Sequence, residues 1–179
     1  MHTLAAKNIR MIDYECLTYE DGQRIVGFGK WAGIVGAHNG LLTYGKKFGK
    51  FELPPAHSVE DYAELKTTYK NINWPPMKIA VTGGGRVATG LLEIMEVCGF
   101  EKVDKDAFVQ NEYDKPVYVH LDIEDLYSRM DDSSFDKSDF FANAKDYCCP
   151  VREFTHSADI LMNGISGHWL LLQLANRRP

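Results

Sequence analysis

Apolar positions along this chain recur with two periods, and the periods alternate. After Ser58, residues Tyr62, Leu65, Tyr69 and Ile72 repeat every three or four positions. This spacing predicts a helix capped by Ser58, with Glu60 and Asp61 in its first turn and Trp74-Pro75-Pro76 ending it. Met77-Lys78-Ile79-Ala80-Val81 then reads as a strand. Beyond three glycines, Val87, Leu91, Ile94, Met95 and Cys98 form the apolar face of a second helix. Phe100 to Val103 predicts a short strand, 106–114 a short helix or loop, and Pro116 to Leu121 a stronger strand. Residues 122–136 are acidic and read as a solvated loop. Lys137 to Tyr147 predicts an amphipathic helix with Phe140, Phe141 and Ala144 inward, and Ser157 to Ile165 a buried strand. Such alternation predicts an α/β fold. The expected architecture is a Rossmann-like, mainly parallel sheet with helices on both faces, incomplete at this length.

The first 57 residues carry a different pattern. Asp21-Gly22 is a turn signal between Met11–Leu17 and Arg24–Phe28, which predicts two antiparallel strands or an extended arm. From Gly29 to about Lys47 the chain reads as a helix whose Gly29, Gly33, Gly36 and Gly40 share one face. Each glycine costs a helix about 1 kcal/mol relative to alanine, so that face is expected to pack very closely on another element. Pro54-Pro55 marks a linker.

Composition narrows the classes. The chain has 179 residues and a net charge of −5. It carries no basic patch with interleaved aromatics, which argues against nucleic acid as a partner. No apolar run approaches the roughly 20 residues a membrane span needs, and the N-terminus has no secretory apolar region. A cytoplasmic location is the expectation. Cys16, Cys98, Cys148 and Cys149 make no C-x-x-C, and His38, His57, His120, His156 and His168 show no paired spacing, so no metal site is expected.

Candidate chemistry centres on Val81-Thr82-Gly83-Gly84-Gly85-Arg86-Val87-Ala88. Gly83, Gly85 and Ala88 fit G-x-G-x-x-A between a strand and a helix, the setting of a dinucleotide-binding turn. Gly83 permits the tight turn, Gly85 lets the backbone approach a pyrophosphate, and Ala88 lets helix and strand pack closely. The helix N-terminus offers free N–H groups to the phosphates. An acid about 20 residues further on would hold the ribose hydroxyls. The spacing selects Asp104, while Asp122, ending the stronger strand, is a rival placed further along. An acid there favours NAD, with NADP as the alternative, because a carboxylate repels a 2′-phosphate.

Four blocks together carry a family resemblance: Ile12-Asp13-Tyr14-Glu15, the run from Arg24 to Gly33, Thr82 to Val87, and Ala158 to Ile165. In order and approximate spacing they resemble the lysine-forming saccharopine dehydrogenases. The lysine–2-oxoglutarate reductase half of the bifunctional lysine-degrading enzymes is similar, within the alanine dehydrogenase and transhydrogenase superfamily. The resemblance covers about residues 8–168. It implies a nicotinamide-dependent oxidoreductase interconverting saccharopine with lysine and 2-oxoglutarate, by hydride transfer at a C–N bond.

On that resemblance, Glu15 matches an acid that tunes pKa values near the active site. Arg24 matches an arginine on the substrate carboxylate, and Phe28 an aromatic lining the cleft. Gly84, Gly85, Arg86 and Val87 match the pyrophosphate loop, and Gly164 and Ile165 the loop over the nicotinamide side. As residues alone, Glu15 and Arg24 read as a cross-strand ion pair. Family enzymes are about twice this long, and their acid–base lysine and histidine lie in a domain preceding the Asp13-Tyr14-Glu15 block. The resemblance therefore implies a fragment, inactive alone, with substrate bound only if the missing domain is supplied. Residues 1–57 are expected to be an arm and Gly-rich helix from an inter-domain region, 58–168 the dinucleotide domain, and 169–179 an atypical tail. Two alternatives stand beside this reading. One is a non-catalytic interaction module, self-associating through the Gly29, Gly33, Gly36 and Gly40 face. The other is an alanine dehydrogenase-like enzyme.

Overall fold

The computed structural model describes residues 2–149 and 151–165. Helix α1 (His2–Ala6) precedes an arm in which Thr18 bridges Arg24 and Tyr14–Cys16 makes a 3₁₀ turn. Gly22 turns the arm with φ of 81°. The two predicted strands reduce to this one bridge. Met11, Ile12, Leu17 and Ile25 are all exposed, and a two-stranded ladder with no layer packed on it is marginal.

Helix α2 (Gly29–Phe48) follows, ended by Gly49 in the left-handed region at φ 62°. A 3₁₀ turn at Ala56–Ser58 leads to α3 (Tyr62–Lys70). Its cap is Asp61 rather than Ser58: Asp61 accepts from the Glu64 N–H at 2.8 Å, whereas the Ser58 hydroxyl donates back to Pro55 O. Then come β1 (Met77–Thr82), α4 (Arg86–Val97), β2 (Glu101–Lys102), α5 (Lys105–Gln110) and β3 (Pro116–Leu121). The remainder is α6 (Ile123–Leu126), β4 (Ser128–Arg129), α7 (Lys137–Ala142), β5 (Tyr147–Cys148), α8 (Arg152–Ser157) and β6 (Ile160–Asn163).

The expected parallel sheet forms, with order β2-β3-β1-β6. Strand β1 is buried along its whole length, as a parallel strand covered on both faces must be. Alternation sends Ile79 and Val81 toward a core shared with Ile34, Leu41, Leu65, Tyr69, Leu91, Ile94 and Met95 of α2, α3 and α4. It sends Ala80 to the other face, where Val117, Val119 and Leu121 of β3 meet Phe108, Leu126, Phe140 and Phe154. Helices thus cover both faces.

Of the glycine face of α2, Gly29 and Gly33 lie on α4, whereas Gly36 is exposed and Gly40 faces Met162 of β6. A Cβ at Gly33 would overlap the Val87 carbonyl, and one at Gly90 would overlap the Lys30 carbonyl, so the two backbones cross in contact. Lys30 pairs with Glu93 at 2.7 Å and Tyr62 donates to the same carboxylate at 2.9 Å, tying α2 and α3 to α4. The Lys30 contact holds the Glu93 carboxyl below its usual range. Linker residues close the bottom of this layer: Trp74 packs edge-on to Phe51 and Phe100, with centroids 4.8 and 5.1 Å apart.

The third quarter departs most from expectation. Residues 122–136 contain α6 and β4, and Leu126 and Tyr127 are buried. The predicted helix 137–147 stops at Ala142, because Asn143 leaves helical geometry (φ −130°, ψ 41°) and bonds the Asp139 carboxylate through its side chain. A 3₁₀ turn and β5 follow, and β5 pairs antiparallel with β4. Phe140 is buried as expected, but Phe141 is 69% exposed. Among the described residues the last strand is β6, shorter than the expected 157–165, with Ser157 closing α8. The expected tail 169–179 and residues 166–168 lie outside the described residues.

Candidate functional site

The carboxyl end of β1 is pinched between its two neighbours. The Gly83 N–H donates to Leu121 O at 2.8 Å, and the Gly164 N–H to Thr82 O at 2.9 Å. Gly83 sits at φ 103°, where a side chain is strained. A Cβ there would also come within 3.0 Å of Gly164 C and Ile165 Cγ1. At Gly84 the space of a Cβ is taken by the Asp122 carboxylate, whose oxygens lie 2.8 and 2.9 Å from that position. Gly85 has open space beside it. It opens α4 with no side-chain cap, so no side chain at the cap position accepts from the first-turn amides of this 12-residue helix.

The arm runs across this loop. A Cβ at Gly27 would lie 2.6 Å from Arg86 Nη1, and one at Gly29 would lie 2.9 Å from Arg86 Cβ. Together these elements enclose a cleft of about 610 Å³. Arg24, Phe28, Gly83, Gly84, Gly85, Arg86, Val87, Gly164 and Ile165 all line it. Residues separated by up to 141 positions in sequence, Arg24 to Ile165, therefore share one surface.

Two residues singled out from the sequence stand apart. Glu15 is not among the lining residues; it accepts from Arg24 Nη1 at 3.4 Å, with both side chains more than half exposed. The ion pair that the residues suggest by themselves forms, but from a 3₁₀ turn rather than across strands, and an exposed pair contributes less than about 1 kcal/mol. Asp104 also lies outside the cleft lining. It is exposed at the end of β2 and caps α5, accepting from the Asp106 N–H at 2.9 Å. Counting about 20 residues presumes that the strand after the helix lies beside β1. Here β2 pairs with β3 alone, at the sheet edge, and the strand between it and β1 is β3. The acid ending that strand is Asp122.

Asp122 caps α6 through Ile123 N–H at 2.7 Å, and its own N–H donates to Asp125 Oδ2 at 2.9 Å. Ile123, Lys137 and Phe141 join it in the cleft wall. A reciprocal cap after the strongest strand was readable as Asp122-x-x-Asp125. Nothing in the sequence marked Lys137 or Phe141, because the short segment that presents them takes its direction from packing on a second core. Elsewhere, burial pushes the Cys98 thiol up to about 12, away from nucleophilic use. Among the described residues no group of three or more His, Cys, Asp or Glu gathers, and no helix is long and apolar enough to cross a membrane.

No family model matches the chain. Curated relatives align over part of it. The alpha-aminoadipic semialdehyde synthases, mitochondrial, of Mus musculus and Rattus norvegicus are each 28% identical over 116 residues, which is 55% of this chain and 12% of the relative. The Bos taurus protein of the same name is 27% identical over the same length. The chain thus matches only about one eighth of the length of these proteins, and its similarity is to that stretch of them.

Proposed function

We propose that this chain is the dinucleotide-binding part of an oxidoreductase resembling saccharopine dehydrogenase. Support comes foremost from the loop Gly83–Gly85, set at the carboxyl end of β1 between strands on either side, with an uncapped helix behind it. That is the crevice in which open α/β sheets take their ligands. The donor set fits a dinucleotide. Gly85 leaves room for a pyrophosphate, the first-turn amides of α4 supply hydrogen bonds and partial positive charge, and Arg86 and Lys137 add cations. Asp122 would accept from the ribose hydroxyls. The role assigned by spacing to Asp104 passes to Asp122, and an acid there keeps the preference for NAD over NADP. The bound nicotinamide supplies a hydride acceptor or donor.

Arg24, Phe28, Gly164 and Ile165 occupy the other part of the wall. On this reading Arg24 receives a substrate carboxylate, as a planar guanidinium suits. The similarity to proteins named for alpha-aminoadipic semialdehyde points to an amino-acid or oxo-acid substrate, held between this chain and a further domain. Glu15 acts through Arg24, by setting its orientation.

The test is a fluorescence titration of the purified chain with NADH and with NADPH. Expected are micromolar binding of NADH, its loss in Gly85→Val, and no change in Asp104→Ala. Asp122→Ala removes charged hydrogen bonds of about 1.5–3 kcal/mol, a weakening of roughly 10- to 100-fold. A folded chain that binds neither nucleotide overturns the reading, and an Asp104→Ala variant weaker than Asp122→Ala overturns the assignment of the acid.

A further inference from the structure

One side chain outside the cleft lining touches the glycine loop. His120, partly buried on β3, places Nε2 2.8 Å from the carbonyl oxygen of Gly83. A carbonyl only accepts, so Nε2 carries the proton and donates. β3 therefore grips Gly83 twice: Leu121 O takes its N–H, and His120 takes its carbonyl.

At the peptide between Gly83 and Gly84 neither flanking residue has a Cβ to oppose rotation, so its orientation depends on the bonds made to it. In a trans peptide the C=O and the following N–H point in opposite directions. Binding the Gly83 carbonyl to His120 therefore aims the Gly84 N–H away from β3. Gly84 lines the cleft. With the peptide turned over, a carbonyl oxygen would stand where an amide donor is wanted, facing an anion.

We infer that His120 is the positioning residue that fixes the Gly83–Gly84 peptide so that the loop presents an amide, not a carbonyl, to the ligand's phosphates. The inference rests on the dinucleotide reading for its ligand, but not for its geometry. Two variants test it. His120→Leu removes the donor, and His120→Gln restores an N–H at similar reach. Expected for His120→Leu are a tenfold or greater loss of NADH affinity and a displaced Gly84 amide resonance in the ligand-free protein. His120→Gln should recover most of both. Loss of affinity without recovery in His120→Gln would mark a merely structural histidine and overturn the inference. Unchanged affinity and an unmoved Gly84 amide in His120→Leu would overturn it too. If the wild type binds no NADH, the functional reading falls. The Gly84 resonance of the two variants then still decides whether His120 sets that peptide.

Discussion

Two glycines on one face of α2, three residues apart, should respond to alanine in opposite ways. At Gly36 a new methyl would meet only Leu91 Cδ2, at 3.9 Å, and the position is exposed. Gly36→Ala then gains helix propensity, about 1 kcal/mol. At Gly33 the same methyl overlaps the Val87 carbonyl and stands 3.0 Å from Gly90 Cα and Leu91 N. These are backbone atoms, so no rotamer change relieves the clash and the two helices must part. Overpacking of this kind costs about 1–3 kcal/mol, and a rigid backbone neighbour puts it at the upper end. After the propensity gain, Gly33→Ala should lose about 2 kcal/mol, leaving the two variants about 3 kcal/mol apart. Urea unfolding followed by far-ultraviolet circular dichroism resolves this easily, because slopes of about 1–3 kcal/mol per molar turn it into a midpoint difference of 1 M or more. Because α4 begins at the glycine loop, Gly33→Ala should also weaken NADH binding. A Gly33→Ala variant as stable as Gly36→Ala would refute the backbone contact.

Other consequences are as specific. His38 is fully buried, with Nε2 2.9 Å from Pro54 O and Nδ1 2.8 Å from the Tyr69 hydroxyl, so Nε2 carries a proton and donates to the carbonyl; burial lowers its pKa and favours the neutral ring. The unfolded chain takes up a proton below about pH 6.5 that the folded chain refuses, so stability is full above that pH and falls below it. Between pH 6.5 and 5.5 the wild type should lose more stability than His38→Gln, by up to about 1 kcal/mol, and equal losses in urea titrations would refute it. Gly84→Ala should push the Asp122 carboxylate off the loop and weaken NADH about as much as Asp122→Ala. The double variant should be no weaker than either, and additive losses would show independent roles. Glu15→Gln should shift thermal stability by less than about 1 kcal/mol; a larger loss would mean that the pair with Arg24 orders the arm.

How far the sequence could be read depends on where each signal is stored. The strand–glycine–helix unit at 77–97 was legible because its information is local: unbroken burial of β1, a helical apolar stripe and three glycines. The same held for α2, whose costly glycines announced the crossing with α4. The spacing that selects Asp104 carries no information on the order of strands in a sheet, which is not local. The two-residue β2 went to the edge, and nothing between 98 and 121 says so. Phe141 misled for a related reason. Its period fits an inward face, but Asn143 breaks the helix and the segment's orientation comes from Phe140 and Tyr147, whose rings pack 5.2 Å apart. The arm has strand-like composition with no layer to pack on, so its pattern outran its structure.

The two faces of the sheet were closed by different stretches of chain. Apart from Tyr118 and Met162, the buried residues of the α2–α3–α4 layer all lie between Ile34 and Phe100. The opposite core takes Ala80 from β1 and otherwise draws on residues from Phe108 onward. During synthesis all but two of the described buried residues of that face, Tyr118 and Met162, have therefore been made before β3, and contacts close in sequence form early. The nascent chain should emerge in two instalments, the crossed helices first, as a platform on which the second half condenses. Pulse-labelled hydrogen exchange should find the α2 and α4 amides protected before those of α5 and α8, and simultaneous protection would contradict that order.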